Sequence, residues 1–106
     1  GLPEDGFWEA VRRLALLQRR RGDLDSALRL WEKAAAEGHI YAHVELSKHY
    51  EHRVKDPKMA LHWAKSAHKL AQAPSLPPYE HKHWEEDLTK RIERLEGKVA
   101  SSKKKK

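Results

Sequence analysis

The stretch Gly22-Asp23-Leu24-Asp25-Ser26-Ala27-Leu28-Arg29-Leu30-Trp31-Glu32-Lys33-Ala34-Ala35-Ala36-Glu37-Gly38 decides the fold. A glycine at either end marks a left-handed stop, a conformation that costs glycine less than any other residue. Asp23 stands where a helix needs an oxygen to cap its first amide groups. Between these signals Leu24, Ala27, Leu28, Trp31, Ala34 and Ala35 recur at three- and four-residue spacing, which places them on one helix face. The stretch reads as a capped amphipathic helix whose buried side sets small residues around one indole.

The same grammar returns on both sides. Phe7, Val11, Leu14 and Leu17 predict an earlier helix that Gly22 ends, and Ile40, Val44, Leu46, Tyr50 and Val54 predict a third after Gly38. Asp56-Pro57 opens a fourth, with a capping carboxylate followed by a residue preset for the first helical turn. That helix buries Ala60, Trp63, Ala64, Ala67, Leu70 and Ala71. A shift of 33 residues lays Val11 on Val44, Arg20 on Arg53, Asp23 on Asp56, Ala27 on Ala60, Leu28 on Leu61 and Ala34 on Ala67, so two helical hairpins repeat. Pro74, Pro77 and Pro78 then interrupt the pattern. A last helix carries Trp84, Leu88, Ile92 and Leu95 on one stripe, with Gly97 as its stop. Nowhere does the two-residue alternation of a half-buried strand persist. The predicted fold is all-α: a right-handed αα-superhelix of two hairpins within residues 5–73 (about 7–38 and 39–73), a linker at 74–78, a capping helix at 79–97, and a flexible basic tail at 98–106.

Composition narrows the functional classes. A chain of 106 residues allows one domain, and 36% charged with 39% hydrophobic residues suits neither a disordered polyelectrolyte nor a membrane protein. The longest aliphatic run is Leu14-Ala15-Leu16-Leu17, far short of the roughly 20 residues a spanning helix needs. Glu4 and Asp5 lie where a secretory leader would be basic. Absence of cysteine excludes disulfides and thiolate chemistry and fits a cytoplasmic protein. The net charge is +6, but four of those charges belong to Lys103–Lys106, leaving +2 for residues 1–102. The folded body is therefore only mildly basic and favours anionic partners weakly.

The segment from Gly22 to Ala34, with its small, aromatic and small positions at Ala27, Trp31 and Ala34, resembles the second half of a tetratricopeptide repeat (TPR). Ala34-Ala35-Ala36-Glu37-Gly38-His39 and Lys55-Asp56-Pro57-Lys58-Met59-Ala60 resemble the related Sel-like repeats. Gln18 and Ala64 depart from the aromatic positions of that pattern. A narrower likeness covers residues 7–97. Glu45-Leu46-Ser47-Lys48-His49-Tyr50-Glu51-His52-Arg53-Val54-Lys55-Asp56, Ala60-Leu61-His62-Trp63 and Arg91-Ile92-Glu93-Arg94-Leu95-Glu96 are similar to the helical C-terminal region of bacterial RNase H-like exonucleases of the YprB type. That resemblance implies a module whose nuclease acids belong to a preceding domain, so no catalytic residue is carried onto this chain.

Chemistry of its own is hard to assemble. His39 with His43, and His49 with His52, have chelating spacings on a helix, yet no third ligand is in register, so no metal or other cofactor is expected. Glu85, Glu86 and Asp87 diverge by about 100° per residue and cannot grip one atom together. Ser26, Ser47 and Ser66 lack a nucleophile elbow. No catalytic residue is predicted.

The arginines of the first helix are more informative. Arg12 and Arg19 are seven residues apart and lie nearly in line, with Leu16 between them and away from the predicted buried stripe. The 33-residue shift carries Arg12, Leu16 and Arg19 onto Glu45, His49 and His52. If equivalent faces stack side by side, these six residues line one concave groove. The expected occupant is a protein, as an acidic or extended peptide, or a missing N-terminal domain. Nucleic acid is the alternative, reached through the arginine-rich first helix and the lysine tail. No membrane partner is expected.

Overall fold

A computed structural model describes the backbone of residues 3–104 and the side chains of residues 6–101. Five α-helices follow in order: α1 (Pro3–Arg20), α2 (Leu24–Ala36), α3 (Ile40–His49), α4 (Pro57–Ala71) and α5 (Pro78–Lys104), with a π turn at Tyr50–Val54 continuing α3. No strand occurs among the described residues. The all-α class therefore stands.

The helix ends follow from local chemistry. Asp23 accepts from the Ser26 amide at 3.2 Å and from its hydroxyl at 2.7 Å, and Asp56 accepts from the Met59 amide at 3.1 Å with Pro57 opening α4. Gly22 and Gly38 take positive φ, 84° and 85°, as helix-ending glycines do.

Consecutive helices pack on one another: α1 on α2, α2 on α3, α3 on α4 and α4 on α5. The small residues sit at the crossings, with Ala27, Ala34, Ala60, Ala64 and Ala67 fully buried and Trp31 buried against Ala27, Ala35, Ala42 and Leu46. A second cluster joins Val44, Ala67, Ala71 and Leu88, and a third joins Ala60, Ala64 and Leu95. The result is a thin slab, 52 × 35 × 18 Å. The Cα atoms of α1 and α3 nowhere come within 8 Å of each other, nor do those of α3 and α5. Of these pairs, α1 and α3 are the ones equivalent by the 33-residue shift, and they face each other across a gap.

Three details correct the sequence reading. First, α1 is rolled: Phe7, Leu14 and Leu17 are 59%, 43% and 43% exposed, and the side facing α2 is Trp8, Val11, Ala15 and Gln18. Only a residue as small as Ala15 lets α1 close on Ala27 and Trp31, whereas the branched Leu14 and Leu17 would hold the helices apart. Second, Val54 leaves the stripe of α3 and is half exposed, because the wider π turn changes the angular phase and brings Glu51 inward instead. Third, Gly97 does not stop the last helix, which runs to Lys104 where a loose tail was expected. An internal glycine costs a helix about 1 kcal/mol against alanine, and the partly buried Val99 and the Lys98 ammonium, bonded to Glu51 at 2.6 Å, hold the following turn. Lys105 and Lys106 lie outside the described residues, as do Gly1 and Leu2 and the side chains of Glu4 and Asp5.

Candidate functional site

The gap between α1 and α3 is a groove with Trp31 of α2 at its floor. Arg12 and Leu16 of α1, Tyr41, Val44 and Glu45 of α3, and Trp84 of α5 line its first compartment, a space of about 460 Å³. Its second compartment, about 340 Å³, is bounded by Arg19, Glu45, Lys48, His49, His52 and Arg53. All six groove residues read from the sequence border one compartment or the other, and Glu45 borders both.

Long side chains bridge the gap in place of backbone packing. The Arg12 guanidinium sits 4.6 Å from the centre of the Tyr41 ring, a cation over the negative face of an aromatic. One turn further, Glu45 accepts from Arg19 at 3.5 Å and pairs with Lys48 at 3.3 Å. At the helix start, the Trp8 and His39 rings lie 4.9 Å apart. The first compartment therefore offers an aromatic and aliphatic wall edged by charges of both signs (Glu9, Asp87, Arg12 and Arg13), and the second offers cations around one shared carboxylate.

Burial tunes the titratable groups here. It raises the Tyr41 phenol, which Arg12 opposes only in part, so the ring keeps its proton at neutral pH. It lowers His49, helped by the Arg53 charge and opposed by Glu32, so this imidazole is neutral and leaves the permanent charge to Arg19, Lys48 and Arg53. Deeper inside, burial also lowers His43, whose Nε2 donates to the Ala35 carbonyl at 3.1 Å.

Sequence reading missed the contribution of α5. His83, Trp84 and Asp87 reach the first compartment from the capping helix. The proline-rich linker puts α5 out of the 33-residue register, so the shift that aligned α1 with α3 had no means of finding them. Lys48 and Tyr41 were also missed, although the spacing of Tyr41 and Glu45, four apart, puts both on the face of α3 that the groove uses.

The side chains weighed as chemistry have other work. The Ser47 hydroxyl donates to the Ala60 carbonyl at 2.8 Å and ties α3 to α4. Glu85 meets His68 Nε2 at 3.0 Å and ties α4 to α5. Among the described residues, no three histidine, aspartate or glutamate side chains come together as metal ligands would, and no described helix is long and apolar enough to cross a membrane. No family model, curated protein or solved structure matches the chain.

Proposed function

We propose that the chain is a TPR-like interaction module, without catalysis of its own, whose groove between α1, α3 and α5 holds an extended acidic segment of a partner protein. The observation that carries this reading is the groove's composition: an apolar wall of Leu16, Trp31, Tyr41, Val44 and Trp84, edged by Glu9, Asp87, Arg12 and Arg13, runs into an end where Arg19, Lys48 and Arg53 outnumber Glu45. An extended peptide is recognised in this way, with side-chain pockets giving specificity and charge fixing register. The 33-residue repeat and the buried alanines around Trp31 support the TPR-like assignment.

Fluorescence anisotropy tests it, with labelled acidic peptides carrying one aromatic residue set against basic peptides of equal length. Acidic peptides should bind the native chain, and Arg12→Glu with Arg19→Glu should abolish binding while circular dichroism stays helical. Failure of every acidic peptide, or charge reversal without effect, overturns the reading. The same titration with single- and double-stranded nucleic acid distinguishes the alternative of a nucleic-acid-contacting accessory module. Phosphate contacts give an affinity falling steeply with log salt, whereas an apolar anchor keeps more of its affinity.

A further inference from the structure

One side-chain cluster touches the groove only at His52 and is not explained by it. Glu51 is carried inward by the π turn until its side chain is 1% exposed, and it draws in cations from α5, whose Cα atoms stay more than 8 Å from those of the π turn. Lys98 Nζ donates to it at 2.6 Å, Arg94 Nε at 3.2 Å and Arg91 Nη1 at 3.4 Å, with a further bond from Arg94 Nη2. His52 Nε2 also stands 3.4 Å from the same carboxylate. Three permanent cations thus share one carboxylate, where the Lys65–Glu96 and Arg13–Glu9 pairs are one to one.

The shortfall of negative charge falls on a desolvated group. The Arg91 side chain is only 12% exposed, its one bond to Glu51 is long, and its buried Nε finds no acceptor among the described residues. A buried guanidinium left this way costs free energy that a second anion would recover. Arg94 and Lys98 remain about half exposed and His52 more so, so the cluster is open to solvent. The unmatched charge is two units, and a guanidinium presents paired N–H donors that fit tetrahedral oxyanions.

We propose that Arg91, Arg94, Lys98 and His52 form a binding site for a phosphate-class dianion beside Glu51. The anion would complete the coordination of Arg91 and strengthen the attachment of α5 to the π turn. Free inorganic phosphate and a phosphomonoester group present the same chemistry, and the site takes either.

Thermal unfolding of the full chain in inorganic phosphate, against chloride of equal ionic strength, tests this, with O-phosphoserine as the parallel arm. Phosphate at about ten times its dissociation constant should raise Tm by roughly 6–11 °C over chloride. Preference for O-phosphoserine over phosphate would identify an esterified source, and the reverse a free ion. Glu51→Gln is the discriminating variant. It removes the resident carboxylate, so its gain in phosphate should exceed that of the native chain, whereas a cluster that only clamps α5 gives no phosphate-specific recovery. Arg94→Gln with Lys98→Gln should abolish the gain. If that pair fails to fold, the Arg91 Nε–H resonance of the native chain provides the readout, since it should shift on phosphate titration. Equal Tm in phosphate and chloride for both the native chain and Glu51→Gln, or an unmoved Arg91 resonance, overturns the proposal.

Discussion

Arg12 lies over Tyr41, guanidinium to ring centre 4.6 Å, across a gap that the backbones of α1 and α3 leave open. With Arg19 two turns on along α1 and Glu45 one turn on along α3, this contact sets the width of the groove by side-chain length. The two helices are held near each other while the space between them stays unfilled.

A double-mutant cycle of Arg12→Ala and Tyr41→Leu should give a coupling energy of about 0.5–1 kcal/mol, the range of a partly exposed cation–π contact. Urea denaturation of the two single variants and the double variant measures it. Strict additivity would mean that α1 and α3 are not linked through this pair.

Trp31 is the joint between core and groove, buried against alanines of α2 and α3 and also forming the groove floor. Trp31→Ala should cost about 3–5 kcal/mol, because the surrounding helices cannot collapse fully onto the space left. Against a total stability of about 5–15 kcal/mol, that removes most of the folded population's margin. Calorimetry should show a fall in Tm well beyond 10 °C, at roughly 4–8 °C for each kcal/mol in a domain of this size.

The roll of α1 makes opposite predictions for neighbouring residues. Leu14→Glu with Leu17→Glu should change stability by less than about 1 kcal/mol, since both side chains already meet water. Ala15→Glu should cost at least about 3 kcal/mol, because it forces volume and charge into a fully buried site. Equal sensitivity at the two positions would show that α1 buries the face that hydropathy alone favours.

Legibility in the sequence followed the range of the interaction. Caps at Asp23 and Asp56, stops at Gly22 and Gly38, and the buried alanines around Trp31 depend on neighbours within a turn or two, and periodicity exposes them. The face of α1 was misread because two apolar stripes run side by side on it, and the choice between them rests on how closely α2 approaches. Glu51 was invisible for a different reason. It sits among exposed charges in the sequence, and only the phase change of a π turn turns it toward Arg91, Arg94 and Lys98, at least 40 residues away. Of the groove, the two helices related by the repeat were found, and the third wall, on α5, was not.

Gly97 lies within α5 with no atom near the position a Cβ would take. Gly97→Ala should therefore stabilise the chain by about 0.5–1 kcal/mol through the unfolded state alone. A rise in Tm of a few degrees with an unchanged helical spectrum is the expected outcome. No change, or a loss, would mean that the helix does not continue through this point to Lys104.

Acid should unfold the chain in two stages. Burial lowers His43 below its ordinary 6.5, an effect that the Ala35 hydrogen bond opposes and the nearby His62 reinforces, and burial with Arg53 does the same to His49. Below about pH 6.5 the unfolded chain takes up these protons first, so stability falls as pH drops from there and levels off once the folded imidazoles also titrate. Glu51 acts in a lower window. Burial pushes its carboxyl up, but the hydrogen bonds and charges of Lys98 and Arg94 outweigh that and hold it below 4.5. Its stabilisation is present above 4.5 and is lost as pH falls through that value and beyond. Urea midpoints measured from pH 7.5 down to pH 3 should therefore show a shallow limb below about pH 6.5 and a steeper one below about pH 4.5. His43→Gln should flatten the first limb and leave the second, and Glu51→Gln should do the reverse. A midpoint constant between pH 7 and pH 5 would place His43 and His49 in water, and the neutral imidazole of the groove's second compartment would go with them.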